Sequence, residues 1–258
     1  MQYRSVTVLA PAKLNLSLDV VGTLPNGYHD LDMVMQTIDL YEKITLRRSN
    51  DLSLTLPGSF VPVNDKNTAV KAALAFFVYT GLLAGVDMTI YKRVPVRAGM
   101  AGGSADAAGV LVGLNELYGA HLSMSELCAI GAGIGADVPF FLYNVPCRAS
   151  GIGERLVPCP EWLDAAGVAG AGLVLLCPGE RVSTPWAYAA WDEWNRPLTE
   201  ARNGAINRAS QKPLDGASSI HWLENSFEPP VFEAFPRLRR LREQLLRQGA
   251  FAAVMSGS

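Results

Sequence analysis

"VPVRAGMAGGSADAAGVLVGL", residues 94–114, is mostly glycine, alanine, valine and leucine, with a single serine and a single aspartate. Its neighbours decide how it reads. Upstream, Val86–Lys92 has the texture of a strand; downstream, Ala107, Val110, Leu111, Leu114 and Tyr118 recur at helical spacing. The glycine run therefore falls at a helix N-terminus. Small residues there have two uses: they let a strand-to-helix corner pack tightly, or they let backbone N–H groups approach an anion at the positive end of the helix. A Walker A loop needs a Gly-Lys-Ser/Thr ending, and a dinucleotide fold needs G-x-G-x-x-G with an acid about twenty residues on; neither occurs. Unencumbered amides, a helix dipole and the Ser104 hydroxyl keep phosphate binding open beside tight packing.

Working outward, "LNLSLDV" (14–20) alternates Leu14, Leu16, Leu18 and Val20 against Asn15, Ser17 and Asp19, a half-buried strand by period. Lys13 and Asn15 share its other face. "LPNGYHD" (24–30) is a turn through Pro25, Asn26 and Gly27 that leaves Tyr28 and His29 on an exposed bend. Strands are expected near Ile44–Arg47 and Leu52–Leu56. "DKNTAVKAALAFFVYTG" (65–81) predicts a helix starting near Asp65–Asn67, ending before Gly81 and buried nearly all round. Ser123 with Glu126 three residues on predicts a capped helix start, and the following glycine-rich turn carries Asp137 just before Val138 and Pro139. Beyond about residue 155 the texture changes: a strand at 172–179, a Pro/Trp-rich segment, a polar stretch from Asn195 to Ser219, then "RLRRLREQLLR" (237–247). Its Leu238, Leu241 and Leu245 share one face, with the arginines on the solvated side. Two domains are expected, 1–155 and 156–258.

The chain has 258 residues, 49% apolar and 18% charged, a soluble globular balance with no apolar run fit to span a bilayer. No secretory signal opens it, so the expected compartment is the cytoplasm. Four cysteines and three histidines are scattered, pointing to neither a disulfide framework nor zinc. A net charge of −2 with interspersed signs leaves no footprint for nucleic acid. Singly, each polar candidate has an ordinary use. Lys13 could be a solvated lysine, Asp137 a turn cap, Ser104 an N-cap, Tyr28 and His29 loop residues, and Tyr188 with Trp186 core aromatics.

Taken in order, "PAKLNL" (11–16), "GMAGGSADAA" (99–108), "GADVPF" (135–140) and "VMSGS" (254–258) resemble the GHMP superfamily of small-molecule ATP kinases, which holds galactokinase, homoserine kinase, mevalonate kinase and phosphomevalonate kinase. "PAKLNLSLDVVGTLPNGYHDLDMVMQTIDL" (11–40), "DKNTAVKAA", "GADVPFFL", "STPWAY" and "LENSFEPPVF" are similar to the branch that phosphorylates a cytidine diphosphate-linked methylerythritol in the non-mevalonate isoprenoid route. The resemblance runs over essentially the whole chain. It implies an α+β, two-lobed GHMP kinase fold, with an N-terminal lobe like ribosomal protein S5 domain 2, a ferredoxin-like C-terminal lobe, and substrate in the cleft between them.

The resemblance also assigns residues. Asp137 would accept the proton of the substrate hydroxyl, and Lys13 would hold that aspartate ionised. Pro95 and the run Ala98, Gly99, Met100, Ala101, Gly102, Gly103, Ser104 and Ala105 would wrap the phosphates of ATP, with Ser104 near Mg²⁺ and Asn67 at the adenine. Asn15, Tyr28, His29, Thr184 and Tyr188, with Asp137, would take the substrate, Tyr28 and Tyr188 sandwiching the cytosine while His29 reads its edge. The chain is expected to act as a monomer or homodimer on this small molecule, with neither nucleic acid nor membrane as partner. Ala101, Ala105 and Asp106 stand where the family more often has glycine, serine and asparagine, and an alanine is expected to be tolerated with φ kept negative. "FAAVMSGS" (251–258) resembles the start of the family's third glycine motif, which implies ~30–40 further residues by typical element lengths. A catalytically weak nucleotide-binding fragment, a pseudokinase and another small-alcohol kinase of the superfamily stay open as alternatives.

Overall fold

The computed structural model describes residues 4–96, 98–202 and 223–257. The chain forms two compact units, each made from two separate pieces: Met1–Lys13 with Thr37–Val145, and Leu14–Gln36 with Pro146–Ser258. Two long paired strands, β1 (Ser5–Thr23) and β2 (His29–Ser49), contribute to both. The alternation at 14–20 thus marks only part of a longer strand. Lys13, Asn15 and Ser17 are as buried as Leu14 and Leu18, so this stretch is covered on both faces.

In the first unit, β2 pairs antiparallel with β4 (Gly85–Tyr91), from Lys43 opposite Tyr91 to Ser49 opposite Gly85, and β4 runs parallel to β3 (Leu52–Thr55). Helix α1 (Thr68–Thr80) starts where Asn67 Oδ1 accepts the Ala69 N–H at 2.9 Å and stops at Gly81, which adopts φ 67°. It is not buried all round: Ala69, Val70, Ala72, Ala73 and Phe76 face inward, while Leu74, Val78 and Tyr79 are exposed. An apolar composition does not create a second packing partner for the outer face.

Helix α2 (Gly102–Tyr118) follows the glycine run. Its later glycines serve packing: a Cβ on Gly109 would lie 2.5 Å from Ile44 Cδ1, and one on Gly113 2.5 Å from Leu46 Cδ1. The helix therefore approaches β2 at backbone distance. Helix α3 (Met124–Ala132) carries the capping box of Ser123 and Glu126, and α4 (Val138–Tyr143) starts at the following turn with Pro139 in its first turn.

In the second unit, β2 from Leu31 to Met35 pairs with β5 (Cys147–Gly151), and β5 with β6 (Arg155–Pro158), all antiparallel. Arg148 clamps Asp32 with two bonds of 2.7 and 2.6 Å. Trp162, from the short α5 (Trp162–Ala165), packs with Val34 and Cys159. The stretch expected as a strand at 172–179 has no regular structure, and Leu173, Val174, Leu175 and Leu176 are exposed. An apolar run becomes a strand only where another strand takes its backbone groups. The Pro/Trp segment is helical, in α6 (Thr184–Arg202); beyond Arg202 the expected polar stretch lies outside the described residues. Helices α7 (Glu228–Ala234) and α8 (Pro236–Arg247) close the unit. The leucine stripe of α8 is half-buried and its arginines lie on the solvated side, where two of them still find partners. Arg237 bonds Glu180 at 2.9 Å, and Arg242 donates to the Ala253 carbonyl at 2.9 Å.

Candidate active site

In the first unit the glycine run makes a tight loop ahead of α2. Gly99 sits at φ 71° and Ala101 at φ 49°, ψ 36°. This corrects the expectation of a negative φ at Ala101, which carries its methyl in the left-handed region. Ala101 stands at the N-cap and gives no side-chain cap; its carbonyl accepts from Ser104 and Ala105 at 2.9 and 3.0 Å. The first amides of a 17-residue helix are thus left without a side-chain acceptor, the arrangement that attracts an anion. The Met100 side chain is buried and its carbonyl accepts the Lys13 N–H at 3.4 Å, while the Thr68 hydroxyl donates to the Gly103 carbonyl at 2.6 Å. Both contacts fix the loop from below, and Pro95 and Ala98 lead into it.

Beneath the loop lies a charge cluster that the sequence did not announce. Lys92 Nζ is 2.6 Å from Glu42 Oε1 and 2.7 Å from Asp106 Oδ2, with Glu42 wholly buried and the other two nearly so. Glu42 Oε2 also accepts the Arg93 N–H at 2.5 Å. Burial pushes the Asp106 carboxyl up to about 6, opposed by the Lys92 charge; its Oδ1 has no hydrogen-bond partner among the described residues. The signal was a lysine spaced from an aspartate inside a small-residue run, which spacing alone cannot pair.

Lys13 is buried, and burial lowers its pKa below the ordinary lysine value while the Asp137 carboxylate works the other way. It is not a solvated lysine. Asp137 precedes α4 in helical conformation, φ −80°, ψ −12°, and its side chain makes no capping bond. Its ordinary use as a turn cap is therefore not the one it has. Ser104 faces the same glycine-rich turn: a Cβ on Gly135 would lie 3.9 Å from Ser104 Oγ. Asn67 spends both ends of its amide locally, capping α1 and donating to the Pro62 carbonyl at 2.7 Å.

In the second unit, Asn15 is buried; its N–H donates to Ser256 Oγ at 3.0 Å and its amide reaches Met33 Sδ at 3.0 Å. Asn225 of "LENSF" donates to the carbonyls of Met255 and Gly257 at 2.8 and 2.7 Å, so that asparagine moors the "VMSG" segment. His29 and Tyr188 come together, ring centroids 4.5 Å apart and nearly parallel, with Trp191 edge-on to the imidazole at 5.5 Å. Asp192, which sequence reasoning missed, bonds His29 Nε2 at 2.7 Å. Tyr28 is exposed beside them in sequence, and Thr184 opens α6.

Residues 67–144 match the model of the GHMP kinase N-terminal domain and residues 205–258 that of the GHMP kinase C-terminal domain. A 4-diphosphocytidyl-2-C-methyl-D-erythritol kinase of Syntrophotalea carbinolica is 40% identical over 97% of this chain and 85% of its own. One from Geobacter sp. strain M21 is 40% identical over 99% of this chain and 87% of its own. Among solved structures, a 4-(cytidine 5'-diphospho)-2C-methyl-D-erythritol kinase superposes with a TM-score of 0.73 at 33% identity, covering 98% of this chain and 87% of that one. A homoserine kinase from Cytophaga hutchinsonii shares the fold at a TM-score of 0.64 and 17% identity, over 100% of this chain and 83% of that one.

Proposed function

The chain belongs to the GHMP kinases and, within them, to the 4-diphosphocytidyl-2-C-methyl-D-erythritol kinase family, and on that premise we propose that it transfers the terminal phosphoryl group of ATP to the C2 hydroxyl of that cytidine diphosphate-linked alcohol, in the non-mevalonate route to isoprenoid precursors. The observation that carries the reading is Asp137, whose carboxylate caps nothing and whose charge opposes the lowering that burial imposes on Lys13. Phosphoryl transfer asks a protein for positioning and charge stabilisation more than for covalent chemistry. Asp137 would take the hydroxyl proton as the oxygen attacks, and Lys13 would balance the charge that gathers there.

The amides from Gly99 to Gly103 would hold the phosphates at the start of α2, with the Ser104 hydroxyl beside them, Pro95, Ala98 and Ala105 shaping the loop and Asn67 bordering the adenine. Asn15, Tyr28, His29, Thr184 and Tyr188 would take the cytidine side. Mg²⁺ neutralises phosphate oxygens when bound. Ser104, whose Oγ faces the glycine-rich turn before α4, would offer it a hydroxyl oxygen. No helix among the described residues is long and apolar enough to cross a membrane, and the cytoplasm is the proposed compartment.

The test is ADP release by this chain with the cytidine substrate, with mevalonate as control. Turnover on the cytidine substrate alone is expected; ATP binding with no turnover on it would overturn the reading.

A further inference from the structure

His29 opens β2, and Tyr188 and Asp192 lie one turn apart on α6. Stacked on Tyr188 and walled by Trp191, the imidazole keeps 14% of its side chain exposed and has little freedom to turn. Its Nε2 is 2.7 Å from Asp192 Oδ1. A carboxylate only accepts, so Nε2 carries the proton in that bond, and in the neutral ring Nδ1 is left as a lone-pair acceptor. Among the described residues no hydrogen bond to Nδ1 is found. Asp192 is itself 54% exposed, and a contact so open to water adds little stability. Its consequence is orientation: a carboxylate behind a histidine fixes which nitrogen donates and which accepts.

We propose that Asp192 is a positioning residue that makes this site selective for a pyrimidine bearing an amino group at C4. With Nε2 held as the donor, Nδ1 accepts an N–H from the C4 amino group of cytosine and faces, in uracil, a C4 carbonyl oxygen with no proton to give. A site built to bond one polar group discriminates strongly against a ligand that leaves that bond unmade. The proposal rests on the assignment of His29 and Tyr188 to the cytidine side made above, and it adds the residue that sets the imidazole's polarity.

The test measures binding of cytidine 5'-diphosphate and uridine 5'-diphosphate to the whole chain by calorimetry at pH about 8, above the ordinary histidine range, together with the nitrogen chemical shifts of His29. The unaltered chain is expected to prefer the cytidine nucleotide and to show a protonated Nε2. Asp192→Ala should cut that preference about tenfold, the scale on which such supporting partners act, while Asp192→Glu restores most of it and ATP affinity stays unchanged. Equal weakening of both nucleotides in Asp192→Ala, a proton on Nδ1 in the unaltered chain, or binding of neither nucleotide would overturn the proposal. The readout is binding, so an inactive chain that still prefers the cytidine nucleotide supports this proposal while removing the kinase reading.

Discussion

Ala101 holds φ 49° at the N-cap of α2 with a methyl that favours negative φ. For an L-residue this region costs about 1–2 kcal/mol, and glycine avoids the cost. Ala101→Gly should therefore raise unfolding stability by about 1 kcal/mol in urea titration; an unchanged or lowered midpoint would show the strain to be relieved elsewhere. Asp137 bears the chemistry. Asp137→Ala should lower turnover by about two to four orders of magnitude, the usual contribution of a placed base, and leave ATP affinity within a few-fold; equal loss of both would remove its assignment as base. Lys13 and Asp137 were legible as a pair only through the ordered motifs around them. That Lys13 is buried and that Asp137 caps nothing came from the three-dimensional environment, which a strand-start lysine and a turn aspartate do not reveal by themselves.

At the scale of elements, α2 answers both questions that its sequence raises. Gly99 belongs to the loop, whereas Gly109 and Gly113 let the helix lie against Ile44 and Leu46. Tight packing and an anion-ready terminus are thus consecutive parts of one element. The start of α2 rests on Lys92, Glu42 and Asp106, one cation between two buried carboxylates. Removing the cation leaves both acids buried without compensation, so Lys92→Ala should cost about 3–5 kcal/mol. Asp106→Asn keeps one cation against one acid and should cost far less. Chemical denaturation of the two variants checks the order, and an equal cost would mean that the three groups do not act as one cluster. The caps of α1 and α3 were readable because Asn67, Ser123 and Glu126 act within their own turn. The cluster was not, because its three members come from distant points in the chain.

For the whole molecule, the proton on Asp106 ties folding to pH. Its carboxyl rises from 3.8 to about 6 on folding. Between those values the folded chain keeps a proton that the unfolded chain has released, so stability is fully present below about pH 4 and falls as pH rises towards 6. The loss is on the order of 3 kcal/mol. Urea midpoints at pH 4, 5, 6 and 7 should lose that part of the slope in Asp106→Asn, and an identical slope in the variant would place the titration elsewhere. The sequence by itself determined what depends on neighbours along the chain: the caps of α1 and α3, parts of β1 and β2, the strands β3 and β4, the helices α1, α2, α3 and α8, the turn before Tyr28, and the order of motifs that identifies the family. Only the tertiary structure decided what depends on partners far away in sequence. It wove two units from four chain segments and left 172–179 without a strand. It also buried Lys13 on a doubly covered strand and set Asp192 behind His29. Local propensity reaches a few residues, whereas burial, ion pairing and strand pairing are settled by whichever groups the fold brings into contact.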